Sequence, residues 1–418
     1  MHRLPLPRVM TSTLASLSWR AIVCVLASLP LLASCSRDAP PLNPAPDVAP
    51  NDPPRARLSQ IYVLGDSISD TGNLIGLVDA FVPVLRPRLQ SPPARPNGQV
   101  FSDKYLGVEY IAAHYGLNLT PAWEPTPNAH AHLSSLDTQA QARIAHHFSR
   151  FHAAAPKHVL STDEHKVVQT LALQHAGGNN YAVANATIQA YPGLVHRFFN
   201  RFRLSEQISH YANRPDPAKK SRNALHFVLI GGNDIFYLLG NPDKQNQADD
   251  HIALLIDKME VQIRRLRNMG AQKILIGTTP DIGEIPAFHN TVQQEQATTL
   301  SLMLDQGMAA RIHEKFDPRH VRYVSVPNLF NRIIKTWPTP LTHVNCTLEQ
   351  FNLDHFLISD GEVSLTFKNG CDQQRLAKGD FVFFDPWHGT DAVYQKVGRL
   401  YIQEIETFMG NGQGGGAH

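Results

Sequence analysis

The sequence predicts a three-layer α/β/α sandwich on a parallel sheet, and three observations carry that prediction. Five short apolar runs lack the clean polar–apolar alternation of half-exposed strands, as expected of strands buried on both faces. Stretches with helical apolar spacing separate most of them, the order that right-handed βαβ crossovers require. Polar residues with chemical potential gather just after the runs, where the functional loops of such sheets lie.

The runs are "IYVLG" (Ile61–Gly65), "NYAVAN" (Asn180–Asn185), "LHFVLIG" (Leu225–Gly231), "KILIG" (Lys273–Gly277) and "VRYVSV" (Val321–Val326). A five-stranded parallel sheet is therefore expected. Between the third and fourth runs, "ALLIDKMEVQIRRLRNMG" has helical periodicity and ends at Gly270, a C-terminal stop signal. "QQEQATTLSLMLDQGMAARIHEKF" reads the same way between the fourth and fifth.

The chain has 418 residues, within reach of one large α/β domain with insertions. A hydrophobic content of 43% and a charged content of 18% are those of an ordinary globular protein. The net charge of +2 gives no electrostatic case for nucleic acid as a partner. The 21 histidines would add positive charge in acidic surroundings.

Arg3, Arg8 and Arg20 lead into "AIVCVLASLPLL" (Ala21–Leu32), too short to span a bilayer comfortably and shaped like an export signal. It ends in "LLASC", similar to a bacterial lipobox, which makes Cys35 the expected lipidation site and first mature residue; cleavage after a small residue with Cys35 nearby by chance is the alternative. Ser36 next to it favours the outer membrane. The expected destination is thus an exported lipoprotein at the outer membrane or facing the periplasm, with secretion as the alternative. Residues 1–35 are read as signal and lipobox, 36–57 as a proline-rich linker, 58–409 as the folded domain and 410–418 as a glycine-rich flexible tail. Within the domain, 120–174 has few strand signals and one helical stretch, "LDTQAQARIAHHFSRFHAAA". It is expected to be an insertion, either a lid or substrate platform or a surface elaboration.

Cys24 leaves with the signal, so Cys346 and Cys371 remain. In an oxidising compartment they are expected to form one disulfide, with two buried thiols as the alternative. A loop of 25 positions predicts roughly 3 kcal/mol of stabilisation.

Three strand-end segments carry the candidate chemistry. In "QIYVLGDSISDTGN" (Gln60–Asn73), Ser67 follows a strand directly, either as a nucleophile at the sheet edge or as a polar turn residue. In "FVFFDPWHGT" (Phe381–Thr390), Asp385 and His388 stand three apart on one turn. That spacing lets the carboxylate bond one ring nitrogen while the other faces a serine; a solvated capped loop is the alternative. In "LIGGNDIF" (Leu229–Phe236), Asn233 is a candidate donor to an oxyanion or a left-handed turn residue. Asp66, Asp70 and Asn73 are expected to order the serine loop. His130, His132, His146, His147 and His152 offer no complete metal-ligand set, so a solvated polar face is expected there.

Together these segments resemble the GDSL, or SGNH, family of esterases and lipases. "VLGDSISDTGN" is similar to the nucleophile block, "NNYAVANAT" (Asn179–Thr187) to the second, "IGGNDIF" to the third and "FDPWH" to the last. "VFSDKYLGVEYIA" (Val100–Ala112), "LSEQISHYANR" and "GAQKILIGTTPDIGEIP" resemble stretches between them, so the likeness covers nearly all of the folded region. The departures are Asn185 where the family has its oxyanion glycine, Asp103-Lys104 for Asn-Gly, Gly107 for an aromatic and Gly389 where proline is frequent. Asn185 would donate through its backbone N–H, and asparagine tolerates a positive φ.

The resemblance implies the flavodoxin-like SGNH hydrolase fold and serine acyl-ester hydrolysis. It implies Ser67 as nucleophile, His388 as base, Asp385 as its orienting group, and an oxyanion hole from the N–H groups of Ser67 and Asn185 with the Asn233 amide. No metal or cofactor is called for. The expected partners are a lipid or small ester and, through the anchor, a membrane surface, with no obligate protein partner. Phospholipids or lysophospholipids, with acyl transfer to an alcohol as a variant, are the expected substrates. A short-chain carbohydrate or acetyl esterase is the alternative, and an idle surface-binding protein a further one.

Overall fold

The computed structural model describes residues 57–74, 101–125, 173–175, 177–192, 199–214, 216–245, 247–347, 367–368 and 370–410. The expected signal, Cys35, nearly all of the expected linker, residues 411–418 and the interior of the predicted insertion with its histidines lie outside them.

Six strands are described: β1 (Gln60–Gly65), β2 (Trp123–Pro125), β3 (Leu173–His175), β4 (Ala224–Leu229), β5 (Lys273–Gly277) and β6 (Val321–Tyr323). One sheet runs in the order β1-β4-β5-β6, parallel throughout. β2 and β3 form a separate antiparallel pair with Trp123 opposite His175. The two ends of the predicted insertion are thus hydrogen-bonded neighbours.

Among the described residues the expected five-stranded sheet has four regular strands, a correction that falls on Asn180–Asn185. This segment does lie beside β1: Val63 N–H donates to Asn179 O (3.0 Å), and Tyr181 and Val183 N–H donate to Val63 O (2.7 Å) and Gly65 O (3.2 Å). It carries only a single parallel bridge to β1, Val63 to Asn180. Its outward N–H groups go to side chains, Ala182 to Asn180 Oδ1 (3.0 Å) and Ala184 to Asp70 Oδ2 (2.8 Å), before Asn185 turns the chain at φ 62°. Side-chain capture of its N–H groups leaves an irregular edge where the pattern suggested a strand. The predicted fifth run is likewise shorter, because Ser325 ends it by capping the next helix.

Seven helices matter for the site: α1 (Gly107–His114), α2 (Leu204–Ala212), α3 (Gly232–Leu239), α4 (Ala248–Asn268), α5 (Gln294–Lys315), α6 (Val326–Lys335) and α7 (Asp391–Gly410). α4 buries Ile252, Leu255, Ile256, Met259, Ile263 and Leu266, a stripe at helical spacing, and Gly270 at φ 99° follows its end. α5 buries Leu300, Leu304, Met308 and Ile312 in the same manner. β4 shows both covered faces of the sheet. His226 accepts the Tyr211 hydroxyl of α2 at 2.7 Å, while Phe227 meets Tyr401 of α7 edge-on with ring centres 4.9 Å apart.

A smaller core stands apart from the main one: Cys346, Cys371, Leu376, Phe381 and Phe384, with Leu341 and Phe367 against it. Cys346 and Cys371 are disulfide-bonded, with Cα atoms 5.4 Å apart. Among the described residues, no helix is long and apolar enough to cross a membrane.

Candidate active site

β1 delivers Ser67 to the carboxyl edge of the sheet. Gly65 pairs with Leu229 of β4, and a Cβ at Gly65 would run into the Leu229 carbonyl, so only glycine lets the strands close there. Gln207 of α2, fully buried, accepts the Gly65 N–H (2.8 Å) and donates to the Gly65 carbonyl (2.7 Å). The strand's last residue is thus held on both backbone groups just before the serine loop.

Buried side chains build the loop itself. Asp70 accepts N–H bonds from Gly72 (2.9 Å), Asn73 (2.6 Å), Leu74 (3.1 Å) and Ala184 (2.8 Å). Asn73 donates to the carbonyls of Asn180 (2.8 Å) and Ala182 (2.7 Å), while its oxygen accepts from Ala122 (3.0 Å) and Trp123 (3.2 Å). The expectation that these residues order the loop matches this geometry. Burial pushes the Asp66 carboxyl up to about 7 and that of Asp70 up to about 6, with N–H donors pulling each the other way.

Asp385 and His388 sit on a tight turn. Its arms are tied by Phe384 N–H to His388 O (2.9 Å) and Thr390 N–H to Val382 O (2.9 Å). The smaller core supports the approach, with the Cys346 and Thr347 N–H groups donating to Phe383 O (3.1 Å) and Phe384 O (3.0 Å). Asp385 is fully buried. One of its oxygens accepts the N–H groups of Trp387 and His388, both at 2.7 Å, and the other lies 2.8 Å from His388 Nδ1. A carboxylate facing Nδ1 holds the proton there and leaves Nε2 as the basic atom. His388 Nε2 lies 3.0 Å from Ser67 Oγ, and the Phe101 ring packs on the imidazole at 5.2 Å. Residues 321 positions apart thereby form one continuous relay.

Gly231, at φ 139°, turns β4 into α3 and brings Asn233 into the first turn of that helix. Asn233 Nδ2 donates to Ala186 O at 2.9 Å, which ties it to the turn containing Asn185. Asn185 has the positive φ that its alignment with a glycine implies. Asp234 accepts from the Ile188 N–H (2.9 Å) and the Tyr191 hydroxyl (2.7 Å), fixing that turn against α3; burial pushes its carboxyl up to about 7.

The sequence reading missed Gln207, Asn179 and Asn180 as organisers of this edge. Asn179 donates to Ile61 O (2.9 Å) and Asn118 O (2.8 Å), and Asn180 to Ser69 O (2.7 Å). Their signal was their position inside the blocks quoted above, but amide side chains there read equally well as turn residues. Asp103, one of the departures from the family pattern, accepts the Asp391 N–H at the start of α7 (2.6 Å). An apolar cavity of about 60 Å³ is lined by Ile68, Trp387 and Gly389, chain neighbours of the relay residues, and by core residues that include Phe227, Phe330 and Tyr401.

Comparison with known proteins agrees with this geometry. The profile of the GDSL-like Lipase/Acylhydrolase family matches residues 61–400. Lipase 1 of Photorhabdus luminescens is 28% identical over 123 residues, covering 29% of this chain and 18% of the relative. A GDSL esterase/lipase of Arabidopsis thaliana is 23% identical over 235 residues, 55% of this chain and 54% of the relative. The matches therefore span well under two thirds of either relative's length. The profile match runs from β1 into α7 and takes in the Ser67, Asn233 and Asp385–His388 segments, and the chain belongs to the GDSL-like lipase/acylhydrolase family.

Proposed function

We propose that this protein is a serine acyl-ester hydrolase acting on lipid esters. The observation that carries this reading is the Ser67–His388–Asp385 relay, with contacts of 3.0 and 2.8 Å. Ser67 Oγ attacks the ester carbonyl carbon as His388 Nε2 takes its proton. Asp385 holds the imidazole in the productive tautomer and stabilises its charged form. The backbone N–H groups of Ser67 and Asn185, with Asn233 Nδ2, hold the oxyanion; Asn233 uses one amide hydrogen on Ala186 O, and its second remains for this role. His388 then returns its proton to the leaving alcohol. A water activated by the same base releases the acid.

Phospholipids or lysophospholipids are the substrates this reading favours, on the resemblance to lipolytic family members and the expected membrane anchor; the apolar cavity beside Ile68 and Trp387, at about 60 Å³, is too small to hold a long acyl chain as it stands. Acyl transfer to an alcohol uses the same acyl-enzyme with a different acceptor. Export as a lipoprotein anchored through Cys35 belongs to the same reading, since it would bring the enzyme to its lipid; palmitate labelling that persists in Cys35→Ala would rule it out.

Ser67→Ala is expected to lower p-nitrophenyl ester turnover by about 10⁴-fold or more and to abolish fluorophosphonate labelling, with folding intact. Unchanged turnover in that variant would refute the mechanism. A panel of acyl lengths and head groups, run with and without cholesterol as acceptor, separates lipase, acyltransferase and short-chain esterase.

A further inference from the structure

We propose that Tyr191 is a positioning residue for ester hydrolysis, which holds the Asn185 turn and the Asn233 helix in the relation that points both donors at one oxyanion. The proposal rests on the oxyanion hole of the preceding section and names what keeps it in shape.

The Asn185 turn needs a brace. The segment leading into it has a single parallel bridge to β1, and Asn185 then turns the chain at φ 62°. No regular ladder sets where the Asn185 N–H points. An oxyanion donor acts from about 2.7–3.1 Å, so the spacing between this N–H and the Asn233 amide has to be fixed by other contacts. Two neighbouring side chains of α3 supply them. Asn233 Nδ2 donates to Ala186 O, and Asp234 Oδ2 accepts the Ile188 N–H, both at 2.9 Å.

Tyr191 closes this arrangement. It is buried, and its hydroxyl donates to Asp234 Oδ1 at 2.7 Å. Its ring lies on that of Tyr237, about one turn further along α3, with centres 3.8 Å apart and planes 26° from parallel. One side chain thus grips α3 at two points. Asn200 clamps the Tyr191 backbone, accepting its N–H (2.9 Å) and donating to its carbonyl (2.8 Å). At the start of α2, the Leu204 N–H donates to Thr187 O at 2.9 Å. The same helix carries Gln207, which holds Gly65 ahead of Ser67. Nucleophile and oxyanion donors are therefore set by one frame of α2 and α3.

The Tyr191 hydroxyl has one proton and two acceptors near it. The Gln189 amide nitrogen, which can only donate, lies 2.8 Å from His251 Nε2, so that nitrogen is the unprotonated one. It also stands 3.0 Å from the Tyr191 oxygen. The contact to the Asp234 carboxylate is shorter and charge-assisted, and it takes the proton. Without the hydroxyl, Asp234 has one donor fewer and α3 loses a tie to the turn. The effect of Tyr191 passes through Asp234 to Asn233, and Tyr191 itself takes no part in the chemistry at Ser67.

The test uses the full chain. Tyr191→Phe removes the hydroxyl and keeps the ring stack on Tyr237. Turnover of a p-nitrophenyl ester is expressed per Ser67 titrated to completion with a fluorophosphonate, so molecules that fail to fold are not counted. In Tyr191→Phe, kcat per titrated site is expected to fall ~10- to 100-fold with KM within about twofold, because the misplaced donors act on the transition state. The Ki of an alkyl boronic acid, whose tetrahedral adduct with Ser67 mimics that state, is expected to rise by a similar factor. Asn233→Ala, run alongside, is expected to lower kcat ~100- to 1000-fold. Unchanged kcat in Asn233→Ala would refute the oxyanion reading and this proposal with it. With Asn233→Ala impaired, the proposal is overturned if Tyr191→Phe keeps kcat per site within about twofold of wild type, raises KM alone, or leaves the boronic acid Ki unchanged. Should Tyr191→Phe fold poorly, Asp234→Asn, which puts an amide group where one of the two donors needs an acceptor, carries the same expectation.

Discussion

The two loops that meet at the relay are held in different ways. The Ser67 loop is fixed from within by buried side chains, chiefly Asp70 and Asn73, which occupy backbone groups of their own loop and of neighbouring segments. The Asp385–His388 turn has one internal side-chain tie, Asp385 to the Trp387 and His388 N–H groups, and otherwise relies on paired backbone arms resting on a second core with a disulfide. The serine must sit where a main-core strand ends, so its loop is anchored in that core. The imidazole must reach across to it on a separate segment, and that segment brings its own support. Loss of one support should therefore cost global stability, and loss of the other should act first on the position of His388.

The largest effect is expected from Asn73→Ala. The change leaves two buried carbonyls and two buried N–H groups without the Asn73 partner and should destabilise the protein by about 3–5 kcal/mol in urea unfolding. A loss below about 1 kcal/mol would mean that the Ser67 loop is not held from within. Next comes Cys346→Ala/Cys371→Ala, which removes roughly 3 kcal/mol by the loop-entropy argument. Its distinguishing readout is activity at a temperature where the variant is still folded. Fluorophosphonate labelling of Ser67 should slow there, because the approach to His388 loosens. If labelling stays at the wild-type rate while Tm falls, the second core is a staple only and the comparison fails. The smallest effect is expected for Asn185→Gly. At φ 62° glycine is the easier residue, so stability should change by less than about 1 kcal/mol with ester turnover retained. A large loss would show that the asparagine side chain itself contributes at this turn.

The same contrast explains how much could be read in advance. Ser67, Asp385, His388 and Asn233 were legible because each follows an apolar run within a few residues, and strand ends are where an α/β sheet exposes chemistry. The run from Lys273 to Gly277 matches β5 residue for residue, and the two long helical stretches match α4 and α5 within a few residues at each end. The edge segment at Asn180 was misread as a strand because period and apolar content are local, whereas the capture of its Ala184 N–H by Asp70, 114 positions away, is not. Gln207 was missed for the same reason: a polar residue inside an amphipathic helix says nothing about the strand end it will meet.

The sequence by itself determined the class of fold, the candidate relay residues and the pair of cysteines, because each rests on residue type at short range. The tertiary structure alone decided that Ser67 and His388 stand 3.0 Å apart and that Asn233 is tied to the Asn185 turn. It also brought the Tyr191 hydroxyl onto Asp234. Contacts between residues far apart in the chain depend on how strands register and helices cross, and no local pattern of residues encodes those distances.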